Sequence, residues 1–319
     1  MGEFDLIERF FKRPPRNADV GVGDDCAVWT PRAGHQLAFS ADMLVEGRHF
    51  LSTVNPEYLG HKALAVNLSD LAACGATPQA FLLSLSMPLA DEAWLAGFSK
   101  GLFHLADQHG CELIGGDTTQ GPLNIAITVM GDTPQGQSIL RSGAEVGDDL
   151  YVSGHLGDAR LALEAFRGNV SLPQAVFDLA KRRMECPTPR LALGQALRGI
   201  AHAMADISDG LLGDLGHILK ASHVGAEIYT SAACDMMQTG QLWSCSPELA
   251  LMCVLSGGDD YELVFSASPL AAKKVQEAAI TSCTPIKRIG RITDTHRLVL
   301  LSADGQPMST SFHSFDHFA

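Results

Sequence analysis

Two domains that mix helices and strands, of α/β or α+β class, are what this sequence predicts. Three observations carry that prediction. The chain has 319 residues, long for one domain and ordinary for two. Short apolar runs with strand character alternate with amphipathic helical patterns along nearly the whole length. A Gly-rich polar stretch, TPQGQSILRSGAEVGD at 133–148, interrupts that pattern near the middle, and the pattern restarts after it. The boundary is placed there, with domains over 1–137 and 138–319.

The elements follow in order. Residues 3–13 read as an amphipathic helix with Phe4, Ile7, Phe10 and Phe11 on one side. QLAFS at 36–40 reads as a short strand running into Ala41-Asp42. Asn55-Pro56 is a capping residue followed by proline at the first helical position, so a helix starts there. It runs through HKALAVNLSDLAAC and stops at Gly75, with Pro78 beyond. FLLSLSMP (81–88) is a buried strand and 91–110 an amphipathic helix closing on Gly110. CELIGGDTT (111–119) and NIAITVMGD (124–132) are strands. In the second half, strands are expected at 149–154, 226–230, 261–267, 286–292 and 297–302, and AMADISDG (203–210) is a strand that ends in an acidic turn. Helices are expected at 157–168, 173–185, 190–201, 211–222, 247–256 and 269–280.

Composition narrows the function. The net charge is −13, which argues against a general nucleic-acid binder with a basic face. The first fifteen residues lack the apolar core of a signal peptide, and no apolar run is long enough for a transmembrane helix. Eight cysteines with no CxxC pair predict reduced thiols in a cytosolic protein rather than a disulfide scaffold. Of the 36 acidic residues 23 are Asp, and Asp favours caps, turns and ion sites over helix surfaces.

Those Asp residues fall in a repeated device, an apolar run leading into small residues and then Asp. It occurs at Gly23-Asp24-Asp25, Ser40-Ala41-Asp42, Gly115-Gly116-Asp117, Ser208-Asp209-Gly210 and Gly257-Gly258-Asp259-Asp260. A short carboxylate on a rigid element suits Mg²⁺, which is held by one or two carboxylates together with substrate phosphates. An adjacent Gly lets a phosphate approach the backbone. Each piece alone is equally an ordinary turn. Asp70 differs, lying mid-helix three residues after Asn67 and on the same face. Arg141 is the best-placed anion clamp near the boundary. His49 taken alone reads as a surface or core residue. No P-loop, complete GxGxxG, protein-kinase signature, GxSxG or HExxH is present.

The ordered set GEFDLIERF, GVGDDCAV, SADMLVEGRHF, HKALAVNLSDLAACGATP, LIGGDTT, RSGAEVGD, DISDGLLGDLGHI and SGGDDYEL spans nearly the whole chain. It strongly resembles the thiamine-monophosphate kinase family, within the superfamily that includes aminoimidazole ribonucleotide synthetase. The resemblance implies a two-domain α+β fold with mixed sheets and helices packed on one side of each. It implies ATP-dependent phosphorylation of thiamine phosphate in a cytoplasmic enzyme with ATP in a cleft between the domains. It also implies a homodimer through the N-terminal domains, with no nucleic acid or membrane as partner.

Carried over by position, the family's ligands for several Mg²⁺ ions fall on Asp25, Ser40, Ala41, Asp42, Asp70, Asp117, Asp206 and Asp209. ATP contacts fall on Gly116, Asp117, Arg141 and Ser208. Thiamine phosphate contacts fall on His49, Asp259 and Phe315. Three positions depart from the family pattern. Ala41 stands where Thr is usual, so only its main-chain carbonyl is available. Asp259 stands where Glu is usual, one methylene shorter. Phe315 replaces an aromatic with a polar tip.

The expected reaction is a direct in-line transfer. The acceptor is an ionised phosphate oxygen, so no general base is assigned. What must be overcome is repulsion between polyanions, about 4 kcal/mol per unit pair at 4 Å and an effective dielectric of 20. Two rival classes stand beside it: a metal-dependent phosphohydrolase using the same Asp cluster, and a non-catalytic nucleotide-binding regulatory protein.

Overall fold

A computed structural model describes residues 2–308, which divide into two compact units. Among the described residues the first comprises 2–71 and 76–136, and the second 72–75 and 137–308.

The first unit holds α1 (Glu3–Phe10), β1 (His35–Val45), α2 (Pro56–Ala73), β2 (Thr77–Met87), α3 (Glu92–His109), β3 (Glu112–Gln120) and β4 (Asn124–Pro134). The last two residues of α2 group with the second unit. Asn55 accepts from the Glu57 amide at the start of α2, and Asp91 accepts from Ala93 and Trp94 at the start of α3. Gly110, at φ 62°, ends α3 in the left-handed conformation. The strands form one mixed sheet in the order β1-β4-β2-β3. β1 and β2 run antiparallel to β4, and β3 is parallel to β2. β1 and β3 are therefore the two edges. On β1, Leu44 is buried and Ser40 and Asp42 are half-buried, while Leu37, Phe39 and Met43 on the other face are exposed.

The second unit holds β5 (Asp149–Ser153), α4 (Asp158–Phe166), α5 (Gln174–Glu185), α6 (Leu191–Ala196), β6 (Ala203–Asp206) and α7 (Leu211–Ser222). It continues through β7 (Gly225–Tyr229), α8 (Thr230–Cys234), α9 (Pro247–Ser256), β8 (Leu263–Ala267), α10 (Ala272–Thr281), β9 (Ile286–Thr293) and β10 (Leu298–Leu301). Its sheet has six strands in the order β10-β7-β9-β5-β8-β6. Leu150, Val152, Ala205 and Val264 on one face pack with Leu161, Val176, Leu215, Ile218 and Val254 from α4, α5, α7 and α9. Burying such aliphatic side chains contributes about 1.5–3 kcal/mol each. On the other face Tyr151 stacks on Phe265, with ring centroids 5.3 Å apart.

Several elements differ from expectation: α1 ends at Phe10 rather than 13, β2 begins at Thr77 rather than 81, and α8 was not expected. β1 extends to Val45 because β4 supplies an antiparallel partner for every residue of it, so Asp42 lies inside the strand rather than at its end. The strand expected from 261 begins at Leu263, because Asp259 and Tyr261 have positive φ. The helix expected over 190–201 is confined to Leu191–Ala196. All eight cysteines are free thiols. Among the described residues no helix is long and apolar enough to cross a membrane.

Candidate active site

In the first unit the sheet edge at β1 meets the middle of α2. The Ser40 hydroxyl donates to Asp70 Oδ2, and the Asp42 amide donates to Asn67 Oδ1 at 3.0 Å. Asn67 is itself held by its amide nitrogen, which donates to the Ala63 carbonyl at 3.0 Å. An edge strand has unpaired amides on its open side, and the helical Asn67 fills that need at residue 42. Asp42 thus turns its amide away from β4, which leaves Ala41 to pair with Thr128 in the ladder. The Ala41 methyl lies on the exposed face, opposite Ser40 and Asp42. The structure therefore gathers Ser40, Asp42 and Asp70, three oxygen donors, with Asn67 behind them. It places Ala41 beside them in sequence but on the other face.

The remaining first-unit residues are spread out. Asp25 lies in an exposed loop, where its amide donates to Asp24 Oδ1 at 2.8 Å. Asp117 is exposed on β3, opposite Ser84 of β2. Two strands separate β3 from β1, so Asp117 and Asp42 stand roughly 14 Å apart across the sheet. Gly116 has φ 147°, and a Cβ there would collide with the Leu83 carbonyl, so only glycine brings this backbone so close to β2. His49 follows β1 and accepts the Val45 amide on Nδ1 at 3.0 Å. That contact makes Nδ1 an acceptor, so it carries no proton there. The buried Lys62 donates to the His49 carbonyl at 3.4 Å.

In the second unit the turn after β6 packs on the turn before β8. Ile207 donates to the Glu262 carbonyl (2.8 Å), Tyr261 to the Ile207 carbonyl (2.8 Å) and Asp259 to the Ser208 carbonyl (2.9 Å). A Cβ on Gly258 would collide with the Ser208 carbonyl, so that glycine permits the approach. Asp206, Ser208, Asp209 and Asp259 are therefore neighbours at one end of the β6–β8 pair. Asp214, in the first turn of α7, accepts the Ser208 and Asp209 amides at 3.0 and 3.1 Å on one oxygen. Burial raises its carboxyl to about 6, Asp209's charge adds to this, and the two amides and the nearby Arg141 oppose it. Arg141, whose carbonyl accepts from Ser222 at 3.3 Å, thus shares the neighbourhood of Ser208 and Asp209.

Behind the 257–262 loop lies a buried polar network that the sequence reading missed. Glu262 accepts from Arg190 twice (2.6 Å each), from Arg183 (2.8 Å) and from Ser153 (2.7 Å). Burial pushes its carboxyl up, but Arg190, Arg183 and Ser153 overcome this and hold it below the ordinary range. Asp260 accepts the Gly157 amide on both oxygens (3.1 and 2.9 Å). Burial lifts its carboxyl well above the usual carboxylate range, and the charges of Asp158 and Glu262 reinforce the lift. Phe315 lies outside the described residues.

Comparison with known proteins now bears on these clusters. Residues 23–133 match the model described as AIR synthase related protein, N-terminal domain, and 145–302 match its C-terminal domain. The thiamine-monophosphate kinase of Escherichia coli K12 is 42% identical over 323 residues, covering 100% of this chain and 98% of that protein. The crystal structure of thiamine-monophosphate kinase from Stenotrophomonas maltophilia is 41% identical with a TM-score of 0.86, covering 97% of this chain and 98% of that one. A structure of AaThiL complexed with AMPPCP and TMP is 27% identical with a TM-score of 0.75, covering 99% of this chain and 97% of that one.

Proposed function

The chain belongs to the thiamine-monophosphate kinase family, and from that premise we propose that it transfers the γ-phosphoryl group by a single in-line displacement assisted by Mg²⁺. It is an ATP-dependent kinase that converts thiamine phosphate to thiamine diphosphate in thiamine biosynthesis.

The donor set fits Mg²⁺. Ser40, Asp42 and Asp70 offer hard oxygen ligands on one half-buried patch, and Asp206 and Asp209 offer two more carboxylates in the second unit. Asp25, Asp117 and the Ala41 main-chain carbonyl complete the set carried by the resemblance. Bound there, Mg²⁺ ions supply positive charge to the phosphates and lower the repulsion between them. The protein's own groups do the rest. Ser208, Gly116 and Asp117 position the nucleotide, and Arg141 adds a fixed cation to its phosphates. His49 contacts the acceptor phosphate, as the resemblance implies. Asp259 faces the organic part of the acceptor, and Phe315 supplies an aromatic surface. The acceptor oxygen is already ionised, so no side chain needs to remove a proton from it.

The dimer reading rests on two features of the first unit. Leu37, Phe39 and Met43 expose an apolar stripe on β1, 45%, 61% and 55% accessible. Two ligands of one Mg²⁺ lie within about 4 Å of each other, since each is about 2.1 Å from the ion. Asp42 and Asp117, on opposite edges, cannot share an ion within one copy. A homodimer joined through this unit would let one copy's β3 approach the other's β1. The absence of a spanning helix among the described residues, the free thiols and the biosynthetic relatives support a cytoplasmic location.

The gathering of Ser40, Asp42 and Asp70 carries the mechanistic reading, and stereochemistry tests it. With ATP chiral at the γ-phosphorus and thiamine phosphate, inversion in the diphosphate product is expected. Net retention would require a phospho-enzyme and overturn the single displacement. Release of inorganic phosphate with no thiamine diphosphate would make the protein a hydrolase.

A further inference from the structure

Asp259 and Tyr261 carry the least comfortable backbone in the second unit's candidate site. Their φ values are 68° and 50°, in the left-handed region. Asp tolerates that conformation, whereas a bulky Tyr rarely adopts it. The chain places Gly just before them, at 257 and 258, where a Cβ would collide with its neighbours. At 259 and 261 it accepts the strained conformation and keeps the side chains. Strain of this kind persists where surrounding contacts over-determine it, and it concentrates at functional sites.

The contacts here do so in alternation. Asp260 and Glu262 are buried on Gly157, Arg183 and Arg190 and anchor the loop from behind. Asp259 and Tyr261 are tied by their amides to Ser208 and Ile207. Their side chains meet: the Tyr261 hydroxyl donates to Asp259 Oδ1 at 3.2 Å. Tyr261 is 9% exposed, so its ring is held by packing and its hydroxyl has little freedom.

We propose that Tyr261 is a positioning residue for the acceptor. Its hydroxyl fixes one oxygen of Asp259 so that the other meets the cationic, amine-bearing ring system of thiamine phosphate. This rests on the reading of Asp259 as an acceptor contact. A carboxylate that swings freely loses rotamer entropy on binding, and Tyr261 removes that cost in advance. The shorter reach of Asp relative to Glu makes the direction of its carboxylate matter more.

Tyr261→Phe deletes the hydroxyl and keeps the ring, the packing and the backbone strain. Steady-state kinetics are measured for each substrate in Tyr261→Phe, Asp259→Asn and the double variant, with thermal melts checking the fold. Expected is a roughly tenfold rise in KM for thiamine phosphate in Tyr261→Phe, the scale of a lost hydrogen bond to a charged group, with KM for ATP unmoved. In the Asp259→Asn background the second substitution should add nothing. If Asp259→Asn raises that KM and Tyr261→Phe does not, the positioning role falls while Asp259 stands. If Asp259→Asn itself leaves it unchanged, the acceptor reading of Asp259 falls and the proposal with it. Equal changes in both KM values, or additive effects in the double variant, would make Tyr261 a purely structural residue and overturn the proposal.

Discussion

The two acidic clusters are built on opposite principles. In the first unit, Ser40, Asp42 and Asp70 project from a regular strand and a regular helix, and two hydrogen bonds, Ser40 to Asp70 and the Asp42 amide to Asn67, join the two elements. In the second, Asp209 and Asp259 sit on turns with left-handed residues, and buried acids beneath them do the holding. A regular scaffold needs little behind it, because its backbone bonds already fix each side chain. An irregular one needs polar anchors such as Asp214, Asp260 and Glu262, and those anchors are structural rather than chemical. Substitutions in the first cluster should therefore cost activity and leave the fold intact. Substitutions beneath the second should cost stability as well.

The largest expected effect tests the second half of that contrast. Glu262→Ala leaves Arg183 and Arg190 buried without their shared carboxylate. Breaking a buried ion pair from one side costs about 3–5 kcal/mol. Urea unfolding should show a loss of that size, and a loss below about 1 kcal/mol would mean that the anchors are dispensable. Next come Asp42→Asn and Asp117→Asn, each expected to lower turnover by about 10²–10³, or roughly 3–4 kcal/mol in the barrier, at unchanged melting temperature. Mixing the two inactive variants sharpens this. If one site takes Asp42 from one copy and Asp117 from the other, half of the randomly formed dimers carry one intact site. About a quarter of the parent activity should then return; no recovery would place both residues in one copy's site.

The same contrast explains what the sequence made legible. Period and capping located the elements of the first unit: Asn55-Pro56 marks the start of α2, and Gly110 marks the end of α3. The Asn67–Asp70 spacing put both on one helix face, where they meet β1. The length of β1 was not legible, because Ala41-Asp42-Met43 has no strand signal until β4 pairs with it. Nor were the anchors of the second unit. Glu262 meets Ser153 and Arg190, 109 and 72 residues away, and Asp260 meets Gly157, 103 away. No local pattern encodes such partners. Asp214 was closer to reach, five residues from Asp209 in the first turn of α7, where an acid commonly caps amides.

Asp214 joins the two principles, since it is an anchor in direct contact with the turn that carries Ser208 and Asp209. Asp214→Ala removes the acceptor of two amides at once. We expect a stability loss of about 1–3 kcal/mol and a higher KM for ATP, with KM for thiamine phosphate less affected. Asp214→Asn keeps an oxygen in place and should recover most of both losses. If Asn and Ala behave alike, the geometry of the turn does not depend on this acceptor.

The smallest effect separates two anchors on the same strand approach. Asp260 has its pKa raised by burial, so the folded state keeps a proton that the unfolded chain releases above about pH 4. Its contribution to stability therefore falls as pH rises from about 4 through its folded-state pKa. Glu262 is depressed by its arginines, so its contribution is complete above the unfolded value and is lost as pH falls through the folded one. Asp260→Asn mimics the protonated acid and removes the first slope alone. Near pH 4.5 the variant and parent should agree within about 1 kcal/mol, since the amide replaces a neutral group of the same shape and the unfolded chain has only begun to release its proton. Near pH 8 the Asn variant should be the more stable of the two, because it has no proton to lose. A variant that is weaker at pH 8 than at pH 4.5, relative to the parent, would mean that Asp260 is ionised and held by Arg183, as Glu262 is.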